Sequence, residues 1–277
     1  MQSSSRRTVL LSVAIIVAAL VFSLAVRPTV SLRGIAGPTL RLAESPAVAI
    51  VWVAACFSIC VGVACVVGRL INAVVGMFVL GCGVALLAMR SGTIKDLAFS
   101  SAGLGGVAAE TFAWALVVGM AAIIVFQVSG PLPDAAPIDE PRVDGVLGTK
   151  GLMSQLAAAL VVVGVWLIDV TPTKGQSLGA VVVGCVLAGL AARIVAPRTP
   201  PILIYATPIL VGAVAHVVAS LTLPKGTSLD RAFIEGSLSR LAFPMPIDYA
   251  AGALVGVSIG IGWSRSFIKT EAQPARA

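Results

Sequence analysis

Stretches of about twenty apolar residues, the length an α-helix needs to cross the hydrocarbon of a bilayer, recur along the whole chain. They run Thr8–Val26, Ala47–Val67, Leu70–Met89, Thr111–Val128, Leu152–Val170, Leu178–Ala196, Ile202–Leu221 and Tyr249–Trp263. Strands of a membrane β-barrel would alternate in segments of about ten residues, whereas these runs are continuously apolar. Composition agrees. Only 11% of the 277 residues are charged, against roughly 25% in a soluble globular domain, and the mean hydropathy is +1.03. So little charge cannot cover a water-soluble surface. The expected fold is all-α, a polytopic integral membrane protein of eight crossings.

The first run follows Ser5-Arg6-Arg7, which has the form of a twin-arginine signal. Its length exceeds the roughly 7–15 residues of a signal core, so an uncleaved first helix is expected. Only Gly68 and Arg69 separate the second and third runs, which predicts a tight antiparallel hairpin. Residues 129–150 hold four Pro, three Asp and one Glu with no helical period, the composition of a linker. The chain therefore divides into a four-helix repeat at 1–128, a hydrophilic linker at 129–150, a second four-helix repeat at 151–264 and a basic tail at 265–277.

The repeat rests on a stretch written twice. Gly92–Phe99 reads GTIKDLAF and Gly226–Phe233 reads GTSLDRAF, and Leu104 and Leu238 extend the match at the same offset. Thr93 with Asp96, and Thr227 with Asp230, have capping-box spacing and predict short helices at the membrane surface. The second of these is expected over about Ser228–Phe243. Four crossings return a chain to its starting side. Both halves then insert in parallel, related by an axis along the membrane normal, and both GTxxD loops share one face.

Lys and Arg divide ten to nine between the terminus side and the GTxxD side. Arg6, Arg7, Arg265 and Lys269 near the outer helix ends favour cytoplasmic termini, in what is expected to be a bacterial inner membrane.

Ionisable groups within crossings are the first functional candidates. His216, the only His, pairs with Cys82 at the repeat offset and would face it across the pseudo-axis. Asp96, Asp230, Glu110 and Asp248 are the duplicated acids. At helix starts they would complement the N-terminal dipole; as a ring they would line a cation vestibule. Asp169, at the end of the fifth helix, opposes the dipole there. Asn72 and Gln127 are read as hydrogen-bonding between crossings, and Cys56, Cys60 and Cys65 as small packing residues. Gly252, Gly256 and Gly260 form a doubled GxxxG, a close-packing face either within the chain or between copies.

One His and one Cys make too thin a metal site, and no Walker loop or HExxH occurs. Neither cofactor nor metal is expected, and no enzymatic activity. Basic residues are scattered singly, which points to membrane lipids as partners rather than nucleic acid; a homo-oligomer or subunits of a membrane complex are the protein partners considered. The leading expectation is a small transporter or channel-like protein with its path at the repeat interface. The alternative is a non-catalytic scaffold or assembly subunit.

Overall fold

A computed structural model describes residues 2–100, 102–130, 132, 146–223 and 226–267. Most of the expected linker and tail lie outside the described residues. Among those described there are helices and turns and no strand. Eight helical spans are long and apolar enough to cross a membrane, and the protein is an integral membrane helix bundle.

The crossings are α1 (Gln2–Val26), α2 (Pro46–Leu70), α3 (Ala73–Arg90), α5 (Leu104–Ser129), α8 (Lys174–Val195) and α11 (Pro246–Ser264), with two broken ones. The fifth crossing joins α6 (Thr149–Gln155) to α7 (Leu160–Ile168) through the 3₁₀ turn Leu156–Ala159, and the seventh adds the turn Leu203–Tyr205 to α9 (Thr207–Thr222). Two short helices, α4 (Ile94–Ala98) and α10 (Leu229–Ile234), belong to the GTxxD segments.

Local chemistry sets the ends. Pro46 and Pro246 open α2 and α11, where the missing N–H costs nothing and φ is already helical. Asn72 caps α3, its side chain accepting from Val75 N–H at 2.9 Å. It therefore closes the α2–α3 hairpin rather than bonding between crossings. Gln127 sits at an exposed position near the end of α5. The helix α10 ends at Ile234, well short of Phe243, and starts from Ser228 rather than Thr227.

The helix α11 is the axis of the bundle and the most buried span; α1 is the least. α8, α3, α5 and α9 all pack on it. Lipid is as apolar as a leucine side chain, so helices associate through close contact rather than through expulsion of water. Small residues make that contact. A Cβ on Gly252 would overlap Val181, one on Gly256 the Val182 carbonyl, and one on Gly260 the Val186 carbonyl. From α8, Gly189 answers against the Val257 carbonyl, with 2.7 Å for an added Cβ. The doubled GxxxG is thus buried inside the chain, against α8. Gly81 of α3 lies equally close on Leu254 and Val255.

Pairing across the halves is reciprocal, since α3 lies on α11 and α5 lies on α9. The third helix of each half meets the fourth of the other. Within the halves the match is looser: α2 and α3 pack along their lengths, while α8 touches the seventh crossing mainly through Leu203–Tyr205.

The two GTxxD segments meet on one face. Phe99 and Phe233, at the same position of the two GTxxD stretches, pack edge to face with centroids 6.1 Å apart. Ile94, Leu97, Leu238, Ala242 and Met245 form a small second core there, a roof over that end of the bundle. The matched glycines do different work. Gly226 adopts φ +83°, a conformation L-residues avoid, whereas a Cβ on Gly92 would meet the Ala36 carbonyl at 2.5 Å.

Candidate functional site

Beneath this roof lies a buried ionic cluster. Asp248 sits in the first turn of α11, and its Oδ2 accepts the Met245 N–H at 2.8 Å. Lys174, the first residue of α8, approaches both carboxylate oxygens, Oδ1 at 2.8 Å and Oδ2 at 3.0 Å. The Asp248 side chain is 1% exposed and that of Lys174 13%. A carboxylate at a helix N-terminus is favoured by the dipole, but an ammonium there is not. Asp248 is therefore what holds Lys174 in place. The same ammonium donates to the Gly92 carbonyl at 3.1 Å. One cation thus joins α8, α11 and the first GTxxD turn, across the two halves.

Asp169 follows α7 at its C-terminal end and is fully buried. Ser177 of α8 donates to its Oδ1 at 3.1 Å, and Oδ2 has no hydrogen-bond partner among the described residues. Burial pushes this carboxyl up to about 7, with Asp248 adding to the effect and the Ser177 hydroxyl and Arg240 opposing it. Arg240 itself donates to the Trp166 carbonyl at 3.2 Å and lies over the Trp166 ring.

The elevated value fixes the sign of a pH dependence. Between the ordinary carboxyl range near 4 and about 7, the folded protein binds this proton and the unfolded chain does not. The stabilisation is complete below that window and is lost as pH rises through about 7. The melting temperature in detergent is expected to fall from about pH 5 to about pH 8, and Asp169→Asn should flatten that slope. An unchanged slope in the variant would assign the effect elsewhere.

His216 is fully buried and held at both nitrogens. Nε2 donates to the Pro244 carbonyl at 2.9 Å, and Nδ1 lies 3.1 Å from the Thr111 hydroxyl of α5. Tyr249 packs edge-on against the ring at 5.5 Å. The His is therefore a pin between α5, α9 and the start of α11. No bond joins it to Cys82 among the described residues, nor is there a group of three metal-ligating side chains.

The other duplicated acids have local partners. Asp96 Oδ2 accepts from the Thr93 N–H at 2.7 Å and from its hydroxyl at 3.1 Å, completing the expected capping box. Asp230 is held below the usual carboxylate range, first by the Ser228 hydroxyl and then by the Arg231 N–H. Glu110 is not at a helix start, because α5 begins at Leu104. Both its oxygens take the Leu40 N–H at 3.1 Å, so it caps the 3₁₀ turn Leu40–Leu42.

Further buried polar groups lie deeper along α8 and α11. Tyr205 Oη and Ser258 Oγ are 3.1 Å apart. Ser258 is ten residues beyond Asp248, about 15 Å along the helix. At the far end of α8, the buried Arg193 donates to the Thr199 carbonyl at 3.2 Å. A cavity of about 10 Å³ between Glu110, Trp114 and Ile247 has room for about one water.

Two members of the cluster, Lys174 and Ser177, escaped the reading of the sequence. The signal was Gly175-Gln176-Ser177-Leu178-Gly179, a GxSxG spacing. That motif is catalytic when it forms a strand-to-helix elbow with an exposed hydroxyl. Here Ser177 is buried in the first turns of α8 and bonded to a carboxylate, while both nitrogens of the single His are engaged elsewhere.

No family model, curated protein or solved structure matches this chain.

Proposed function

We propose that the chain is a small proton-coupled transporter, built from two related four-helix halves, with its path near their interface and the GTxxD segments closing one end. The observation that supports this most is the buried cluster of two carboxylates and one ammonium where the halves meet. Charge within a membrane bundle is costly and is characteristically kept for ion or proton handling. Asp169, with one oxygen free among the described residues, is the proton-accepting group, and Lys174 is the latch that parts from Gly92 when the roof lifts. Tyr205, Ser258 and Arg193 continue the polar line toward the opposite end. The reading includes no catalytic step.

Purified protein in liposomes loaded with a pH-sensitive dye should admit protons under an inside-negative potential, and Asp169→Asn should abolish the flux. Entry no faster than in protein-free vesicles would remove the transport reading. The second reading, a rigid scaffold subunit, would then stand, favoured by the glycine-to-backbone packing of α8 on α11.

The proposed setting is a bacterial inner membrane with both termini cytoplasmic. Single Cys at Leu32 or Ser228, both exposed on the GTxxD face, should label with impermeant maleimide in intact cells, and Cys at Leu147 only after lysis. The reverse pattern would invert the orientation. Labelling of Leu32 and Ser228 from opposite sides would break the parallel-halves reading.

A further inference from the structure

Outside the cluster, a groove of about 340 Å³ runs between α2 and α5, within the size range of small-ligand sites. Phe57 and Trp114, edge to face at 5.9 Å, form its floor. It descends from Ile50 to Phe57 on one helix and from Glu110 to Val117 on the other, about 10 Å in each case at 1.5 Å per residue. That is most of one leaflet's hydrocarbon, half of the roughly 30 Å core. Ile50 and Val117 are exposed beside it, so it opens sideways onto the belt that lipid covers.

Its charged members lie together at the membrane-surface end. Arg41 lines the groove there and is exposed, and its charge acts on the neighbouring Glu110 carboxylate. Nη1 lies over Gly106, 3.2 Å from where a Cβ would stand, so the glycine leaves room for the cation. Glu110 faces the same mouth, its carboxylate fixed by the Leu40 N–H. A cation and a carboxylate side by side complement a headgroup that carries both charges.

We propose that this groove is a specific site for one phospholipid with an ammonium–phosphate headgroup, the phosphate on Arg41, the ammonium on Glu110 and an acyl chain against Phe57 and Trp114. A guanidinium suits phosphate because its planar donors can pair with two oxygens at once. A purely anionic headgroup would place its charge against Glu110, and a choline headgroup would offer the carboxylate no N–H donor. The site is independent of the proton-coupling reading, since none of its residues belongs to the ionic cluster.

Native mass spectrometry of the full chain, equilibrated with equal amounts of phosphatidylethanolamine, phosphatidylcholine and phosphatidylglycerol, tests it directly. One phosphatidylethanolamine should be retained in preference to the others. Arg41→Ala should lower its retention about tenfold, the loss of roughly one charge-assisted hydrogen bond. Glu110→Gln should erase the preference over phosphatidylcholine. Ala113→Phe, which fills the groove without touching either charge, should release the lipid, and it keeps the proposal testable if Glu110→Gln disturbs the Leu40 turn. Equal retention of the three lipids, or undiminished retention in Arg41→Ala, overturns it.

Discussion

Replacing Lys174 with methionine should destabilise the protein by about 3–5 kcal/mol, the usual consequence of removing one partner of a buried ion pair. The loss does not measure the strength of the attraction. It arises because Asp248, 1% exposed, is left as an uncompensated carboxylate, and because the Gly92 carbonyl loses its donor. A second substitution separates these causes. Asp248→Asn keeps an acceptor for the Met245 N–H but removes the charge, so Lys174→Met with Asp248→Asn should recover most of the loss. Thermal unfolding in one detergent, single variants against the double, reads the coupling directly. A single variant that melts with the wild type would mean that the pair is solvated and that the cluster is no seal between the halves.

The second large effect lies on α11. Gly256→Leu and Gly260→Leu should each prevent stable packing of α8 on α11. Ordinary overpacking costs about 1–3 kcal/mol because side chains move aside. Here the obstructing atoms are the carbonyls of Val182 and Val186, and a helix backbone does not move alone. Gly262, two residues further on, has nothing within 4 Å of an added Cβ, so Gly262→Leu is the matched control with little expected effect. Size-exclusion profiles of the three variants suffice as a readout. A well-folded Gly260→Leu would show that the α8–α11 contact is looser than described.

The eight crossings were legible because lipid as solvent leaves a plain mark, runs about twenty residues long with at most one charged residue each. The roof was legible because GTxxD is polar and written twice. Element ends were harder. α5 starts at Leu104, not Thr111, since its first turns carry Gly105, Gly106 and Glu110 and lie near the surface. The site was legible only in part. Asp248 and Asp169 stood out as single acids, but their partners could not be found from spacing. Lys174 lies 74 residues before Asp248, and helix packing alone brings them together. Asn72 resembled an intramembrane polar group until its position at the hairpin turn made it a cap. His216 resembled a relay until the Pro244 carbonyl and the Thr111 hydroxyl accounted for both nitrogens.

The central place of α11 bears on how the bundle is made. Of the eight spans it is the last to be synthesised, and its hydropathy of 1.2, against 3.0 for the first, is the lowest. The earlier helices enter lipid on their own apolarity. The final one gains least from lipid and most from the glycine-lined slot that α3 and α8 hold for it. Until translation reaches residue 264, that slot is vacant and Lys174 has no counter-ion. On this geometry the last span supplies both the counter-ion of Lys174 and the surface on which α3, α5, α8 and α9 pack, so the bundle cannot be complete before it is in place.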